Sequence, residues 1–588
     1  MHAAEQVEAR GPPEGHLPVS KDDSAHSTVP SSVKVEAPGN GQVKDPDVRV
    51  RYAILDVPPW YETVLLGFQH YLTMLGSTVL IPFLIVPAMG GTPVDLAHVI
   101  GTIFFISGVI TLLQTFVGDR LPIIQGGSFA YLTPAFAIIA QVQARGDWGP
   151  GENHERFLVT MRELQGGIIG SALIILFIGA SGILGLILQF ISPITVAANI
   201  GIVGLALYNV GFNGVGACVQ LGLPMIFFIV LFSQYLRNVA IPLGRGHKML
   251  AFQLFPVLLA ILVTWIYAII VTEAGAYDNS SAATQAACRT DQSDVLRLSP
   301  WFRFPYPGQW GAPTFSWAGV LTMLAGALSA MVESLGDYYA AARISGAPVP
   351  PPGVIERAVT LQGFSCVLTG LWGTGNGTTA YNENIGAMQI TGVGSRVVVQ
   401  AGAAIAIVVS LIGKFGGLFA SMPQAMVSGL FCVMFGLIAA VGISQIQHTD
   451  MNSPRNIFVL GFGLYMGLSI PYYFTTYTTT NGHGPVNTGS AEFNDIANSI
   501  FTTAAAVALI ITMFLDNTIP GTREERGLHV WGQLNEHGSA WWEDETLHKV
   551  YGLPFGMTRK YQALVKPYKD AVKRFFHKLT PHRSARTV

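Results

Sequence analysis

Residues 380–392 read AYNENIGAMQITG, and how this stretch is read decides the fold. It sits between apolar runs, yet it carries Asn382, Glu383, Asn384, Gln389 and Thr391 and is interrupted by Gly386. It is too polar for a simple membrane span. Just before it, Thr378-Thr379-Ala380-Tyr381 favours extended backbone over helix. Asn382 is then placed to cap a helix, and Glu383 in the first turn suits the positive end of the helix dipole. The whole run, GTGNGTTAYNENIGAM (373–388), therefore reads as an extended segment leading into a half-helix. A second stretch has the same layout. In IIQGGSFAYLTPAFAII (123–139), Gly126 and Gly127 break the chain and Ser128-Phe129-Ala130-Tyr131 leads into a short helix.

Composition sets the class around these two breaks. The 588 residues are 50% hydrophobic and 12% charged, with mean hydropathy +0.44. That is about half the charge of a soluble globular chain, too little to cover one very large soluble protein. Apolar runs of about 20 residues, enough to cross a bilayer as helices, recur along the chain. They fall near 61–86, 97–117, 128–143, 164–189, 193–210, 217–236 and 249–272. After a polar loop at 273–313 they resume near 314–342, 355–373, 383–394, 396–419, 422–442, 456–472 and 498–516. The expectation is an all-α polytopic membrane protein of fourteen segments. Residues 51–272 and 314–517 form two seven-segment repeats, inverted because seven is odd. The third segment of each series is short and broken, the arrangement that marks a transporter's binding site.

Loop charge sets the orientation. The loop at 237–248 carries Arg237, Arg245 and Lys248 with no acid, the loop at 473–497 carries Glu492 and Asp495 with no Lys or Arg, and the tail 518–588 turns basic toward its end. All three place both termini in the cytoplasm and the 273–313 loop outside. The polar, Pro/Ser-rich residues 1–50 read as a disordered tail, not a signal peptide. KPYKDAVKRFFHK (566–578) reads as a solvated basic tail, with an amphipathic helix on anionic lipid as the alternative. Asn279-Ser280-Ser281 is a glycosylation sequon. Together with the cytoplasmic tails it points to the plasma membrane. Cys218, Cys366 and Cys432 lie in apolar runs and read as small core residues; Cys288 stands alone in the polar loop, so no disulfide framework is expected. No catalytic constellation, no metal spacing, no cofactor and no nucleic-acid partner are expected.

Ionisable groups inside a span are costly and usually functional. In GVLTMLAGALSAMVESLGDYYAAA (319–342), Glu333 and Asp337 are four apart and share a helix face. Flanked by Ala and Gly, they read as lining a cavity and sharing a proton, although Asp337 also stands near the helix end, where it would meet water. In GFQHYLTMLG (67–76), Gln69 and His70 lie mid-span. His70 either pairs with a carboxylate or ligand, or satisfies a structural hydrogen bond. Phe129 offers a flat face to a planar ligand; the plainer reading is a core aromatic.

These motifs resemble the nucleobase–ascorbate transporter family, also called nucleobase/cation symporter 2. Its signature is matched by Glu383-Asn384-Ile385-Gly386 and by Thr391, with Gly392 where a basic residue is usual. The Gln-His pair at 69–70, GGSFAY (126–131) and VESLGDYYAAAR (332–343) join it, and VGSRVVVQAG (393–402) and GLHVW (527–531) look like the plant branch. The resemblance covers nearly all of 51–560. It implies a core of segments 1–4 and 8–11, a gate of segments 5–7 and 12–14 that makes a homodimer contact, and short antiparallel strands in segments 3 and 10. Transport is elevator-like motion of the core. Residue by residue, it implies that Glu333 and Glu383 bond the ring and that Phe129 and Ala130 contact it. Asn384, Gly386 and Thr391 hold the signature, and Asp337 with Glu333 and His70 serves coupling. Tyr381 precedes the signature as in bacterial uracil members. Segment nine has Gln362 where fungal purine members have an aspartate. The function implied is proton-coupled import of a nucleobase such as uracil or xanthine, in membrane lipid. The alternatives are sodium-coupled ascorbate transport, whose members carry Pro at the position of Glu383, and anion exchange, which usually places a basic residue there.

Overall fold

A computed structural model of the chain describes residues 50–558 except 147, 150, 189, 245–246, 292–293 and 529–540, together with 560, 563 and 567. The N-terminal tail, the basic stretch 566–578 and most of GLHVW lie outside the described residues.

Long helices dominate because long apolar runs bounded by caps leave the backbone no other way to satisfy itself. In chain order they are α1 (Trp60–Met89), α2 (Pro93–Val117), α3 (Leu132–Arg145), α4 (Asn153–Ser181), α5 (Pro193–Ala206), α6 (Tyr208–Ala217), α7 (Val219–Val230) and α8 (Pro256–Glu273). They continue as α9 (Trp317–Ile344), α10 (Pro352–Trp372), α11 (Asn382–Thr391), α12 (Arg396–Ser410), α13 (Gly413–Ala420), α14 (Gln424–Ser444), α15 (Pro454–Asn481), α16 (Ala491–Thr502), α17 (Ala504–Thr518) and the short α18 (Glu545–Tyr551). Among the described residues, eight helices are long and apolar enough to cross a membrane, or nine if the pair α16–α17, bent by 85°, counts as one. Start signals match the chemistry. Thr92 and Asp95 form a reciprocal capping box on α2, with Pro93 at its first position.

The helices pack as two groups. In one, α4 lies along α9 and α10, and α12 lies along α1 and α2. In the other, α14 packs on α5, α6 and α7, while α15 and α17 pack on each other and on α5. Contacts between the groups run chiefly from α9 to α16, α17 and α5, and from α1 to α8 and α14.

Two short strands sit inside the first group. β1 (Gln125–Gly127) pairs antiparallel with β2 (Thr378–Ala380), in the register Gln125↔Ala380, Gly126↔Thr379 and Gly127↔Thr378. Each leads into a half-helix, β1 through a 3-10 turn at Phe129–Tyr131 into α3, and β2 through Tyr381 into α11.

Several expectations are corrected. Cys218 and Cys288 form a disulfide, with Cα atoms 5.6 Å apart across 70 residues of sequence. Cys218 lies in the turn between α6 and α7 rather than within a span, and the short helix Ala282–Cys288 returns to it. Segment eleven is two helices, α12 and α13. Gly386 does not interrupt α11, which runs through it to Thr391. Asn382 does not cap α11; Tyr381 holds that position without a side-chain bond.

Residues 51–54 and Val550 both meet the turn between α11 and α12. Gly392 closes α11 at φ +67°, a left-handed conformation that favours glycine, and its carbonyl accepts from Arg51 N and Tyr52 N. Arg396 is buried at the same turn. Its Nε donates to Arg120 O at 2.6 Å and its Nη2 to Val550 O at 2.9 Å, while Arg357 Nη2 donates to Tyr551 O at 2.9 Å. Beneath them burial pushes the Asp119 carboxyl up to about 7, against the pull of Leu121 N–H, Arg357 and Arg396. Arg396→Ala removes two charge-assisted bonds, one to Arg120 O and one that ties Val550 of the 541–558 segment down. It is expected to cost about 2 kcal/mol of stability, read as a lower melting temperature of the detergent-purified protein, with Arg396→Lys recovering only part.

Candidate functional site

The site is built where α9 passes the strand pair. β1 and β2 approach closely because each meets a tyrosine ring through a glycine. A Cβ on Gly126 would lie 2.5 Å from the Tyr381 ring, and one on Gly377 would lie 2.2 Å from the Tyr131 ring. The strands are stitched beyond their ladder. Asn376 Oδ1 accepts from Ser128 N at 2.7 Å, and its Nδ2 donates to Ser128 O at 3.0 Å. Ser128 also caps the 3-10 turn by accepting from Ala130 N.

Side chains of α9 hold β2. Ser334 Oγ accepts from Ala380 N at 3.1 Å and shares a hydrogen bond with Thr379 Oγ1 at 3.1 Å. Gln362 Nε2, on α10, bridges Ala330 O, Ser334 Oγ and Thr378 O at 3.2, 3.0 and 3.1 Å. Gln362 thus ties α9, α10 and β2 together.

The two expected ring-binding carboxylates each keep one oxygen free of protein partners. Glu383 Oε1 accepts from Ser77 Oγ of α1 at 2.6 Å, and Glu333 Oε2 from Thr379 Oγ1 at 3.4 Å. Both side chains are half-buried, and no hydrogen bond is made by Glu383 Oε2 or Glu333 Oε1 among the described residues. Asp337 lies one turn further along α9, 4% exposed, its Oδ2 buried without a partner. It does not sit at a watered helix end, and it stands four residues from Glu333 on the same face of α9. The structure therefore sets Glu333 and Glu383 beside the strand pair, with Asp337 one turn along α9 from Glu333.

The remaining expected residues divide. Phe129 presents a half-buried ring edge-on to Phe435 of α14, with centroids 6.4 Å apart, at the seam between the two helical groups. Ala130 is buried where α9 crosses it: a Cβ on Gly326 would lie 2.8 Å from Ala130 O. Tyr381 spends its hydroxyl on Thr78 Oγ1 at 3.0 Å. His70 does not meet a carboxylate. Its backbone oxygen accepts from Asn384 Nδ2 at 2.9 Å, and its Nδ1 lies 3.2 Å from the same nitrogen, so the pair locks α11 to α1. Of the two readings of His70, the geometry gives the structural one. Thr391 Oγ1 turns back to Ala387 O. Gly386 faces open space, with nothing within 4 Å of a Cβ built there. Sequence reasoning missed Ser77, Ser334, Asn376 and Thr379. Small polar residues in spans were the available signal. No group of three or more His, Cys, Asp or Glu able to hold a metal occurs among the described residues.

Comparison with known proteins meets this geometry. A family model described as a permease family, Xan_ur_permease, matches residues 61–476. "Nucleobase-ascorbate transporter 1" of Arabidopsis thaliana is 42% identical over 513 residues, 87% of this chain and 96% of its own. "Solute carrier family 23 member 1" of Mus musculus is 41% identical over 535 residues, 87% of each chain. "Solute carrier family 23 member 2" of Homo sapiens is 41% identical over 539 residues, 88% of this chain and 81% of its own. Plant and mammalian relatives are thus matched almost equally. With the signature run on a strand-to-half-helix break and most of the chain matched, the chain belongs to the nucleobase–ascorbate transporter family and is a multi-pass membrane transporter.

Proposed function

We propose that the protein imports nucleobases, uracil or an oxopurine such as xanthine, coupled to protons, by elevator-like motion of one helical group against the other. The observation that carries this reading is the pair of half-engaged carboxylates. Glu333 and Glu383 each present an unpartnered oxygen beside the strand pair, with Phe129 at the seam. Neutral heterocycles with ring N–H donors fit two such acceptors. Buried hydrogen-bond partners discriminate between ring systems far better than an apolar pocket does. An ascorbate anion would face three carboxylates and is disfavoured on charge.

Asp337, close to both glutamates and lacking a partner at Oδ2, is the proposed proton carrier. Each binding event would load a proton on the Asp337–Glu333 pair and seat the ring against Glu333 and Glu383. The first helical group would then move along the second and expose the site to the other side. The second group would also carry a homodimer contact.

Counting every broken or bent stretch as one span gives fourteen: α1, α2, β1–α3, α4, α5–α6, α7 and α8, then α9, α10, β2–α11, α12–α13, α14, α15 and α16–α17. This is the seven-plus-seven inverted layout we infer. Loop charge puts the end where residues 51–56 and 541–558 meet in the cytoplasm, and the disulfide-bearing loop outside at the plasma membrane, where oxidised cysteines persist.

The test is uptake of labelled uracil, xanthine, adenine and ascorbate in transporter-deficient cells, at two external pH values, with and without sodium. Nucleobase uptake that rises as pH falls is expected. Uptake of ascorbate alone, or a strict sodium requirement, would sink the proposal.

A further inference from the structure

We propose that Asn199, on α5 of the second helical group, reaches across the seam to the transported ring and that its side-chain carbonyl accepts a third ring N–H, which makes the site selective for dioxopurines over pyrimidines. This rests on the nucleobase reading above and goes beyond it by naming the substrate class.

Asn199 is the one amide side chain in the apolar run of α5, PITVAANIGIVGLA, and it is 2% exposed. Its Nδ2 donates to Ser329 Oγ of α9 at 2.5 Å. Ser329 has a single hydroxyl proton, and that proton goes to Ala325 O at 2.9 Å. Towards Asn199 the serine oxygen is therefore an acceptor. This fixes the amide with its NH2 toward Ser329 and its Oδ1 turned away. That Oδ1 is buried and has no partner among the described residues. A buried carbonyl left unmatched in a membrane protein calls for a partner the protein does not supply.

Its place says what the partner is. Ser329 stands four residues before Glu333, so the Asn199 amide meets the same face of α9 that carries the ring-binding carboxylate. One turn further along α5, Ile202 and Val203 form the apolar cluster against which Phe129 packs. Asn199 thus lies between the helix bearing Glu333 and the Phe129 ring, on the opposite helical group. A pyrimidine such as uracil has two ring N–H donors, and the free oxygens of Glu333 and Glu383 account for both. A dioxopurine adds an imidazole N–H, and the unpartnered Oδ1 is a third acceptor of the required kind.

Uptake kinetics for xanthine and uracil in Asn199→Ala and Ser329→Ala separate a ligand contact from a simple latch between the helical groups. Asn199→Ala is expected to raise KM for xanthine about tenfold or more while KM for uracil moves less than about twofold. Ser329→Ala, which keeps the carbonyl but removes the bond that orients it, is expected to raise KM for xanthine less than Asn199→Ala does and to leave KM for uracil within about twofold. Equal losses for both substrates in Asn199→Ala would show a latch only and overturn the inference while the proposed function stands. If Asn199→Ala fails to reach the membrane, Asn199→Asp, isosteric and still an acceptor at Oδ1, decides: retained preference for xanthine supports the contact, and loss of preference overturns it. Absence of any nucleobase uptake by the unaltered protein overturns the proposed function, and this inference with it.

Discussion

Glu333→Gln is expected to reduce nucleobase uptake to background, about 100-fold or more, with surface expression unchanged. Glutamine keeps the size of the side chain, and Glu333 is half-buried rather than part of the apolar packing, so the fold has little to lose. The chemistry changes twice. Glutamate offers oxygens only. Glutamine puts an NH2 group where one oxygen stood, either toward Thr379 Oγ1, which lies 3.4 Å from Glu333 Oε2, or toward the ring. In the second case two donors face each other, and leaving buried donors unmatched costs about 1–3 kcal/mol each, roughly one to two powers of ten in affinity. The second loss is the proton. Asp337, the proposed proton carrier, stands four residues from Glu333 on the same face of α9, so removing the Glu333 charge also alters its surroundings. Asp337→Asn separates the two effects. It spares both ring acceptors, so substrate still protects the purified protein against heat, while uptake loses its dependence on external pH. Labelled uptake alongside surface biotinylation checks the pair. Wild-type uptake by Glu333→Gln would remove Glu333 from the site.

The candidate carboxylates were easier to read from the sequence than what holds them. Glu333, Asp337 and Glu383 stood out because a charge in an apolar run violates the local pattern; Glu333 and Glu383 lie beside the strand pair, with Asp337 one turn along α9 from Glu333. The breaks at Gly126-Gly127 and before Asn382 were legible because glycines and β-branched residues interrupt helical periodicity. Partner choice was not legible. Asn384 and His70 lie 314 residues apart, and nothing local says that a mid-span histidine will meet an amide instead of a carboxylate. Gln362 looked like a missing acid, yet its amide bridges three elements, a role that needs donors and that no carboxylate fills. The Cys218–Cys288 bond was hidden because Cys218 abuts an apolar run, and only the turn at the end of α6 shows that it leaves the span. The 85° bend at Thr503 has no proline or glycine to announce it.

Gly377→Ala is expected to abolish uptake as fully as loss of the glutamate, but through the backbone, and to lower thermal stability with it. The added Cβ would lie 2.2, 2.4 and 2.7 Å from three atoms of the Tyr131 ring, inside any real carbon contact. The ring cannot step aside cheaply: Tyr131 is 1% exposed, and its hydroxyl reaches Cys366 Sγ at 3.6 Å. Gly377 cannot retreat either. Its carbonyl accepts from Ser128 N at 3.1 Å, and its neighbour Asn376 is tied to Ser128 by two further bonds. Relief must come from the strand pair. Overpacking of this kind costs about 1–3 kcal/mol, and here it is spent on the register that sets β2, Thr379 and the first turn of α11 carrying Glu383. Gly386→Ala, six residues beyond the end of β2, is the contrast: its Cβ meets nothing within 4 Å and it lies inside α11, so stability is expected to hold or to rise by up to about 1 kcal/mol. Trimming the ring tests the cause. In Gly377→Ala/Tyr131→Leu the clash is gone, so the double variant is expected to be more stable than the sum of the two single losses allows, a coupling read from melting temperatures in a double-mutant cycle. Additive losses would place the damage elsewhere than the Tyr131 contact.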